Sequence, residues 1–364
     1  MKIGILTFHD ADNYGAVLQA YALTESIKNI KLDLQVEIIN YKMPFILRPY
    51  KLIRFKTEDI YIFIRTLLSS VIYLKVRGIK KSKFNAFRKR YMSLSDNVYY
   101  KAKEINGYDA YIVGSDQVWN SDITGYEDIF FLSFCNNSAK KISYAASIGK
   151  NKLTKLDAEF IKQHIDNLEF ISVREDNAVE LIKAFTNKKI CRVLDPTFLL
   201  GEYEWAKLVS DKKITQYFIL LYMVSMNEEA LKVADIISKM MKLPVWYIND
   251  SYKKDKYKFK HIRGIGPLEF LVLVKNAKFI VTTSFHGTAF SIIFNKKFVT
   301  VPYKRTSSRM VDLLKRIKLE KRIIETSSEI DNKYEFNIDY TIPNGILKQE
   351  KEQSLMFLKE ALQL

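Results

Sequence analysis

Short apolar, β-branched runs recur along the chain, each closing on a polar loop and then, in most cases, on helical periodicity. "KIGILTF" runs into "HDADNYG" and then "AVLQAYALTESIK", and "VEIINY" follows. "AYIVG" leads into "SDQVWN", "ISYAAS" ends at Ile148-Gly149, "FISVR" leads into "EDNAVELIK", and "RVLDPTFLL" closes the first half. After a candidate hinge near residues 201–214 come "QYFILLYM", the helical "NEEALKVADIISKMMK", "PVWYIND", "GPLEFLVLVKNA" and "AKFIVTTSFHG". Strands alternating with helices predict an α/β chain built as two Rossmann-like units, each with a parallel sheet. Ligands of such sheets bind beyond the carboxyl ends of the strands. The tail "LKQEKEQSLMFLKEALQL" predicts an amphipathic helix over about 347–362, with Leu355, Leu358 and Leu362 on one stripe that packs across the units.

Length and charge sharpen this outline. At 364 residues the chain exceeds what one core usually serves, so units at 1–200 and 201–364 are expected. Cys135 and Cys191 have no partner at metal-ligand spacing, which predicts a reducing compartment and no metal site. The apolar start meets His9 and Asp10 too early for a signal peptide, and a cytoplasmic setting is expected. The net charge of +17 is uneven: residues 48–90 carry thirteen Lys/Arg against Glu58 and Asp59. Within them, "IYIFIRTLLSSVIYLKV" is interrupted by Arg65 and Lys75, short of the ~18 uncharged residues a spanning helix needs. A basic helical insertion over about 48–95 therefore has two open readings: peripheral contact with an anionic membrane, or a solvent-facing cover of the sheet. No nucleic-acid-binding signature accompanies the charge, and no nucleic acid partner is expected.

The polar groups at the strand ends supply the candidate chemistry. Asn13 and Tyr14 precede the first helix, where Asp10, Asp12 and Asn13 suit turn formation and capping. Ser115, Asp116, Gln117 and Trp119 follow "AYIVG"; a carboxylate, an amide and an indole suit a sugar, although Trp119 also suits a core anchor. Arg174 ends "FISVR" as a candidate fork for a carboxylate or phosphate, with Glu175 and Asp176 behind it as local ion-pair partners. Asp195, before Pro196, is expected to organise a turn. In "TTSFHGTAFS" a strand ends at Thr282 or Thr283, a turn runs from Ser284 to Gly287, and a helix opens near Thr288. That turn aims free N–H groups and a positive dipole end at the surroundings of His286. Lys304, Arg305 and Arg309 follow "KFVTVPY" and place cations on the same rim.

Six ordered stretches carry a resemblance to the polysaccharide pyruvyl transferase family: "NYGAVLQAYAL", "YDAYIVGSDQVWN", "SYAASIG", "FISVRE", "VLDPTFLL" and "FIVTTSFHGTAFSIIF". The resemblance implies a fold similar to GT-B glycosyltransferases, with a cleft between an acceptor-binding N-terminal unit and a donor-binding C-terminal one. It implies transfer of pyruvate from phosphoenolpyruvate (PEP) to a sugar of a surface polysaccharide precursor, as a ketal, with release of phosphate and no cofactor. Arg174 matches the family's PEP-binding arginine and His286 its histidine. The family's usual Arg-Leu-His turn reads Ser284-Phe285-His286 here, so the role of the absent arginine falls to Lys304, Arg305 or Arg309. The resemblance thus gives His286 proton transfer, Arg174, Lys304 and Arg309 the donor, and Asn13, Asp116, Gln117 and Trp119 an acceptor expected to be lipid-linked. Two other readings compete: a GT-B glycosyltransferase using a nucleotide sugar, and a non-catalytic scaffold on the same fold.

Overall fold

The computed structural model describes residues 1–43, 60–135, 138–210, 212–251, 256–303 and 308–364, with the side chains of 60–73 and 308 outside the description. Lys304, Arg305, the start of the basic segment (44–59) and part of the lysine-rich loop (252–255) lie outside the described residues.

Twelve strands form two sheets among the described residues. The first contains β1 (Lys2–Leu6), β2 (Gln35–Tyr41), β3 (Leu94–Tyr99), β4 (Ala110–Val113), β5 (Lys140–Ala146), β6 (Phe170–Val173) and β7 (Ile190–Arg192), in the order β3-β2-β1-β4-β5-β6-β7. The second contains β8 (Ile219–Tyr222), β9 (Val245–Ile248), β10 (Lys260–Ile262), β11 (Phe279–Thr282) and β12 (Phe298–Thr300), in the order β10-β9-β8-β11-β12. Every pairing is parallel. The central strands β4, β8, β9 and β11 are buried along their whole length, as parallel strands covered on both faces must be. Strand order reverses between β1 and β4 and between β8 and β11, so the loops after these four strands form the crevices where such sheets take ligands.

The helices are α1 (Tyr14–Ile30), α2 (Ile60–Tyr91), α3 (Ser121–Thr124), α4 (Lys155–His164), α5 (Asp176–Ile182), α6 (Glu202–Lys207), α7 (Glu228–Met241), α8 (Pro267–Asn276), α9 (Phe285–Ile293), α10 (Ser308–Arg316) and α11 (Thr341–Leu362). One apolar cluster runs through both sheets, from Ile5 and Ile38 through Leu220 and Ile280 to Leu358. Tyr14 sits at its centre, stacked on Phe270 of α8 with ring centroids 4.8 Å apart, its hydroxyl donating to Ile265 O at 3.3 Å. α2 clamps the same junction through Lys83–Glu269 (2.9 Å) and Lys80–Asp250 (3.1 Å). α11 returns the chain to the first sheet: Ser354 Oγ accepts from Leu194 N at 2.9 Å, Phe357 meets Tyr144, and Leu358 and Leu362 are buried.

Four expectations are corrected. The C-terminal helix opens at Thr341 rather than near 347, since Pro343 is tolerated in a first turn. "RVLDPTFLL" pairs only through Arg192; Asp195 then caps a 3-10 turn over Pro196–Leu199. The helix after β11 opens at Phe285, three residues before Thr288, because Ser284 caps it. The edge strands β3 and β10 escape the apolar pattern because few of their residues are buried.

Because α11 seals a core shared by both sheets, Leu358→Ala is expected to cost about 2–5 kcal/mol in chemical denaturation, within one cooperative transition. Two separated transitions, with only one shifted, would show that the sheets hold independent cores.

Candidate active site

The site begins with a cap. Ser284 Oγ accepts from Gly287 N at 3.2 Å, and Thr282 Oγ1 accepts from Ser284 N at 3.1 Å while donating to Tyr222 O at 2.8 Å. His286 thereby enters the first turn of α9, with 8% of its surface exposed. Its ring presses against the start of α1: a Cβ on Gly15 would stand 2.0 Å from His286 Nδ1. No other residue type fits there without displacing the imidazole. Gly287 is equally constrained, since its Cβ would stand 2.2 Å from Thr282 Oγ1.

His286 Nε2 faces Asp195 Oδ2 at 3.6 Å. The same oxygen accepts from Arg174 Nη1 at 2.7 Å and from Ser115 Oγ at 3.2 Å, while Oδ1 accepts from Thr197 N and Thr197 Oγ1 at 3.0 and 2.7 Å. Arg174 also lies 3.8 Å from both Asp116 Oδ1 and Glu175 Oε2, and 4.5 Å over the Phe285 ring. Glu175 Oε1 accepts from Ser147 Oγ, Ile148 N and Gly149 N. The ends of β4, β6 and β7 and the first turn of α9 thus converge on one buried carboxylate, and the end of β5 holds Glu175 beside it.

The charges settle one another. Burial would raise the Asp195 carboxyl, but the facing His286, the Arg174 charge and the Thr197 amide hold it far below the usual carboxylate range. Burial would likewise lower Arg174, and Asp195, Glu175 and Asp116 raise it instead. For Arg309 the same carboxylates compensate only in part: burial, then the like charge of Arg174, push it down to about 10 against the raising effect of Glu175, Asp116 and Asp195. Among the described residues, Arg174 Nε and Nη2, Arg309 Nε and His286 Nε2 are buried nitrogens without a hydrogen-bond partner, and Glu175 Oε2 is a buried acceptor without one. Buried donors left unmet in a dry site cost free energy that an anion with several acceptors restores. The first turn of α9 adds a positive dipole end.

The predicted residues divide accordingly. Arg174, His286, Asp116, Ser115 and Arg309 meet in the cluster, and Ser284 and Gly287 build the turn that carries His286. Asn13 caps α1, its Oδ1 accepting from Ala16 N at 3.3 Å. Gln117 braces the loop after β4, its Oε1 accepting from Asn120 Nδ2 at 2.8 Å. Trp119 is corrected from sugar platform to core anchor: it is 4% exposed, donates Nε1–H to Phe130 O at 2.9 Å and stacks on Phe131. Tyr14 wedges between the sheets and also lines a cavity beside the cluster, and Arg174, rather than an open fork, is already paired with carboxylates. Asp195 is more than a turn former, and Glu175, Gly15 and Gln19 join the site. Gln19 is fully buried, donating to Thr7 Oγ1 and accepting from Ser115 N. A polar side chain on the buried face of an amphipathic helix is the signal that singles it out. No group of His, Cys, Asp and Glu among the described residues could hold a metal ion.

The sequence profile of the polysaccharide pyruvyl transferase family matches residues 13–305. No curated protein matches by sequence. Among solved structures, the chain is similar to UDP-GlcNAc 2-epimerase from Methanocaldococcus jannaschii in complex with UDP-GlcNAc and UDP (TM-score 0.50, 15% identity, 99% of this chain and 100% of that one). It is also similar to a putative UDP-N-acetylglucosamine 2-epimerase from Listeria monocytogenes (TM-score 0.51, 9% identity, 99% and 89%). At such identities the likeness is one of fold: two parallel α/β sheets in the GT-B manner.

A buried guanidinium that its carboxylate neighbours compensate only in part costs the free protein stability. Arg309→Met is expected to raise the melting temperature by about 2–4 °C while removing stabilisation by added small anions. A lowered melting temperature with anion stabilisation intact would show that Arg309 is satisfied internally.

Proposed function

The chain belongs to the polysaccharide pyruvyl transferase family, and from that premise we propose that it moves the pyruvyl group of PEP onto a saccharide of a surface polysaccharide precursor. The observation that carries the donor assignment is the buried set of unmet nitrogens on Arg174, Arg309 and His286. PEP brings a phosphate and a carboxylate, which between them supply the acceptors that such nitrogens lack. Ser284 stands where the family usually has an arginine, and its hydroxyl is occupied as the cap of α9. Arg309, which is close enough to feel the charge of Arg174, supplies the cation in its stead.

A proton delivered to the PEP methylene leaves C2 electrophilic. One sugar hydroxyl adds to C2 and gives up its proton, then a second hydroxyl displaces the phosphate oxygen. Two hydroxyl protons are lost, one ends on the methyl carbon and one on the departing phosphate, so the ketal forms without redox change or cofactor. His286 moves these protons at Nε2, and the Asp195 charge 3.6 Å from that nitrogen stabilises the protonated ring. Helix α9 and Arg309 bear the developing phosphate charge.

An acceptor carried on a lipid accords with two surface features. Val224 and Met226, 65% and 59% exposed, stand on the rim of a cavity beside the site, and the outer face of α2 shows Lys75, Lys81, Lys89 and Arg90 to solvent. No helix among the described residues is long and apolar enough to cross a membrane, so contact with a bilayer would be peripheral.

Purified protein with PEP and a panel of glucosides, galactosides, mannosides and their N-acetyl derivatives is expected to release inorganic phosphate. His286→Gln and Arg309→Met should each slow release by about 10²–10⁴-fold with circular dichroism unchanged. No release across the panel, with a nucleotide sugar rather than PEP raising the melting temperature, would favour the glycosyltransferase reading. Co-sedimentation with vesicles should require anionic lipid and weaken as salt rises; binding indifferent to both would exclude electrostatic membrane contact.

A further inference from the structure

Beside the charge cluster lies a cavity of about 660 Å³ at the carboxyl ends of β8 and β9, walled on its other side by Asp12, Asn13 and Tyr14 at the start of α1. It shares two walls with the turn that carries His286. The residue after Tyr14 is Gly15, whose backbone touches the imidazole, and Tyr222 packs on Gly287, where a Cβ would meet Tyr222 Cδ1 at 3.0 Å. Another cavity among the described residues, about 530 Å³ between α1, α2 and α6, is lined by none of the cluster residues.

The first cavity is polar, but its charges are spoken for. Lys80 Nζ is 3.1 Å from Asp250 Oδ2, Lys256 Nζ is 3.5 Å from Glu228 Oε2, and Asp12 is held by Arg88 at 2.8 Å. Among the described residues each lysine of the wall is paired with a carboxylate and His261 Nδ1 lies 3.2 Å from Ser251 O, so the wall shows no unpaired lysine or arginine for a phosphate. What remains is the equipment for hydroxyl groups: carboxylate oxygens that accept, and the amide nitrogens of Asn13 and Asn249 that donate. Asn13 Oδ1 and Asn249 Oδ1 are engaged by Ala16 N and Ser251 N, while each Nδ2 has no partner among the described residues. Tyr222 and Tyr247 add aromatic surface. Acceptors, amide donors and rings around a volume in the range of small-molecule sites are what a pyranose needs.

We infer that this cavity holds the neutral sugar unit of the acceptor, with Asn13 and Asn249 as its hydroxyl-recognising residues and its reacting hydroxyls turned toward His286. This rests on the pyruvyl transfer reading only for the word acceptor; the cavity's preference for an uncharged sugar rests on its own residues. It also moves acceptor recognition away from the loop of Gln117 and Trp119 to the seam between the sheets.

Binding tests the inference apart from turnover. Uncharged p-nitrophenyl hexosides should show saturation-transfer NMR signals with the wild-type protein, measured both free and saturated with PEP. Asn249→Ala should weaken hexoside binding at least tenfold and leave PEP binding unchanged, whereas Tyr203→Ala in the second cavity should change neither. Hexoside binding unaffected by Asn249→Ala, or UDP binding that Asn249→Ala abolishes, would overturn the assignment. If hexosides bind through Asn249 but no phosphate is ever released, the PEP reading falls and the sugar site stands. If phosphate is released at an unchanged hexoside KM in Asn249→Ala, the sugar site falls and the PEP reading stands.

Discussion

A single carboxylate with no exposed side-chain surface, Asp195, is the constraint to which the rest of the site answers. Burying a charge of this kind costs several kcal/mol unless it is paired and fully hydrogen-bonded. The chain meets the requirement with Arg174 from the end of β6, Ser115 from the loop after β4, Thr197 from the turn that follows, and His286 from α9. Each arrives from a different strand end, so the cluster exists only when both sheets are formed and docked. The pairing raises Arg174, whereas for Arg309 the same carboxylates offset burial and the like charge of Arg174 only in part, so its guanidinium is the less settled of the two.

Docking in turn depends on close approach. Gly15 lets the imidazole lie on the backbone of α1, and Gly287 lets α9 start directly under Thr282. Tyr14, one residue before Gly15, fills the seam with its ring, and α11 ties the second half of the chain back to the first sheet. Stability and chemistry therefore share elements: the start of α1 packs the core on one side, touches the histidine on another, and lines the cavity assigned to the sugar on a third.

The sequence made much of this legible, for identifiable reasons. Buried parallel strands are short apolar runs, and those of both sheet centres stand out; β3 and β10 do not, because an edge strand buries little. His286, Arg174 and Asp116 were found because they follow such runs at the carboxyl end. The same rule misled for Trp119, whose indole at a strand end turns inward to Phe131 rather than outward to a ligand. Asp195 was visible as the residue before a proline, but its service to three partners depends on how β4, β6 and α9 converge, which no local pattern encodes. Gly15 was invisible for a like reason: a glycine in a helix start has meaning only once the side chain pressed against it is known.

The central claim is that the buried cations around Asp195 form a seat for PEP. A structure of the protein soaked with PEP tests it most directly. The expected result is a phosphate or carboxylate oxygen within about 3.2 Å of Arg174 Nη2 and Arg309 Nε, with the methylene carbon turned toward His286. PEP bound elsewhere, or no PEP with a nucleotide diphosphate seated on those nitrogens instead, would contradict it.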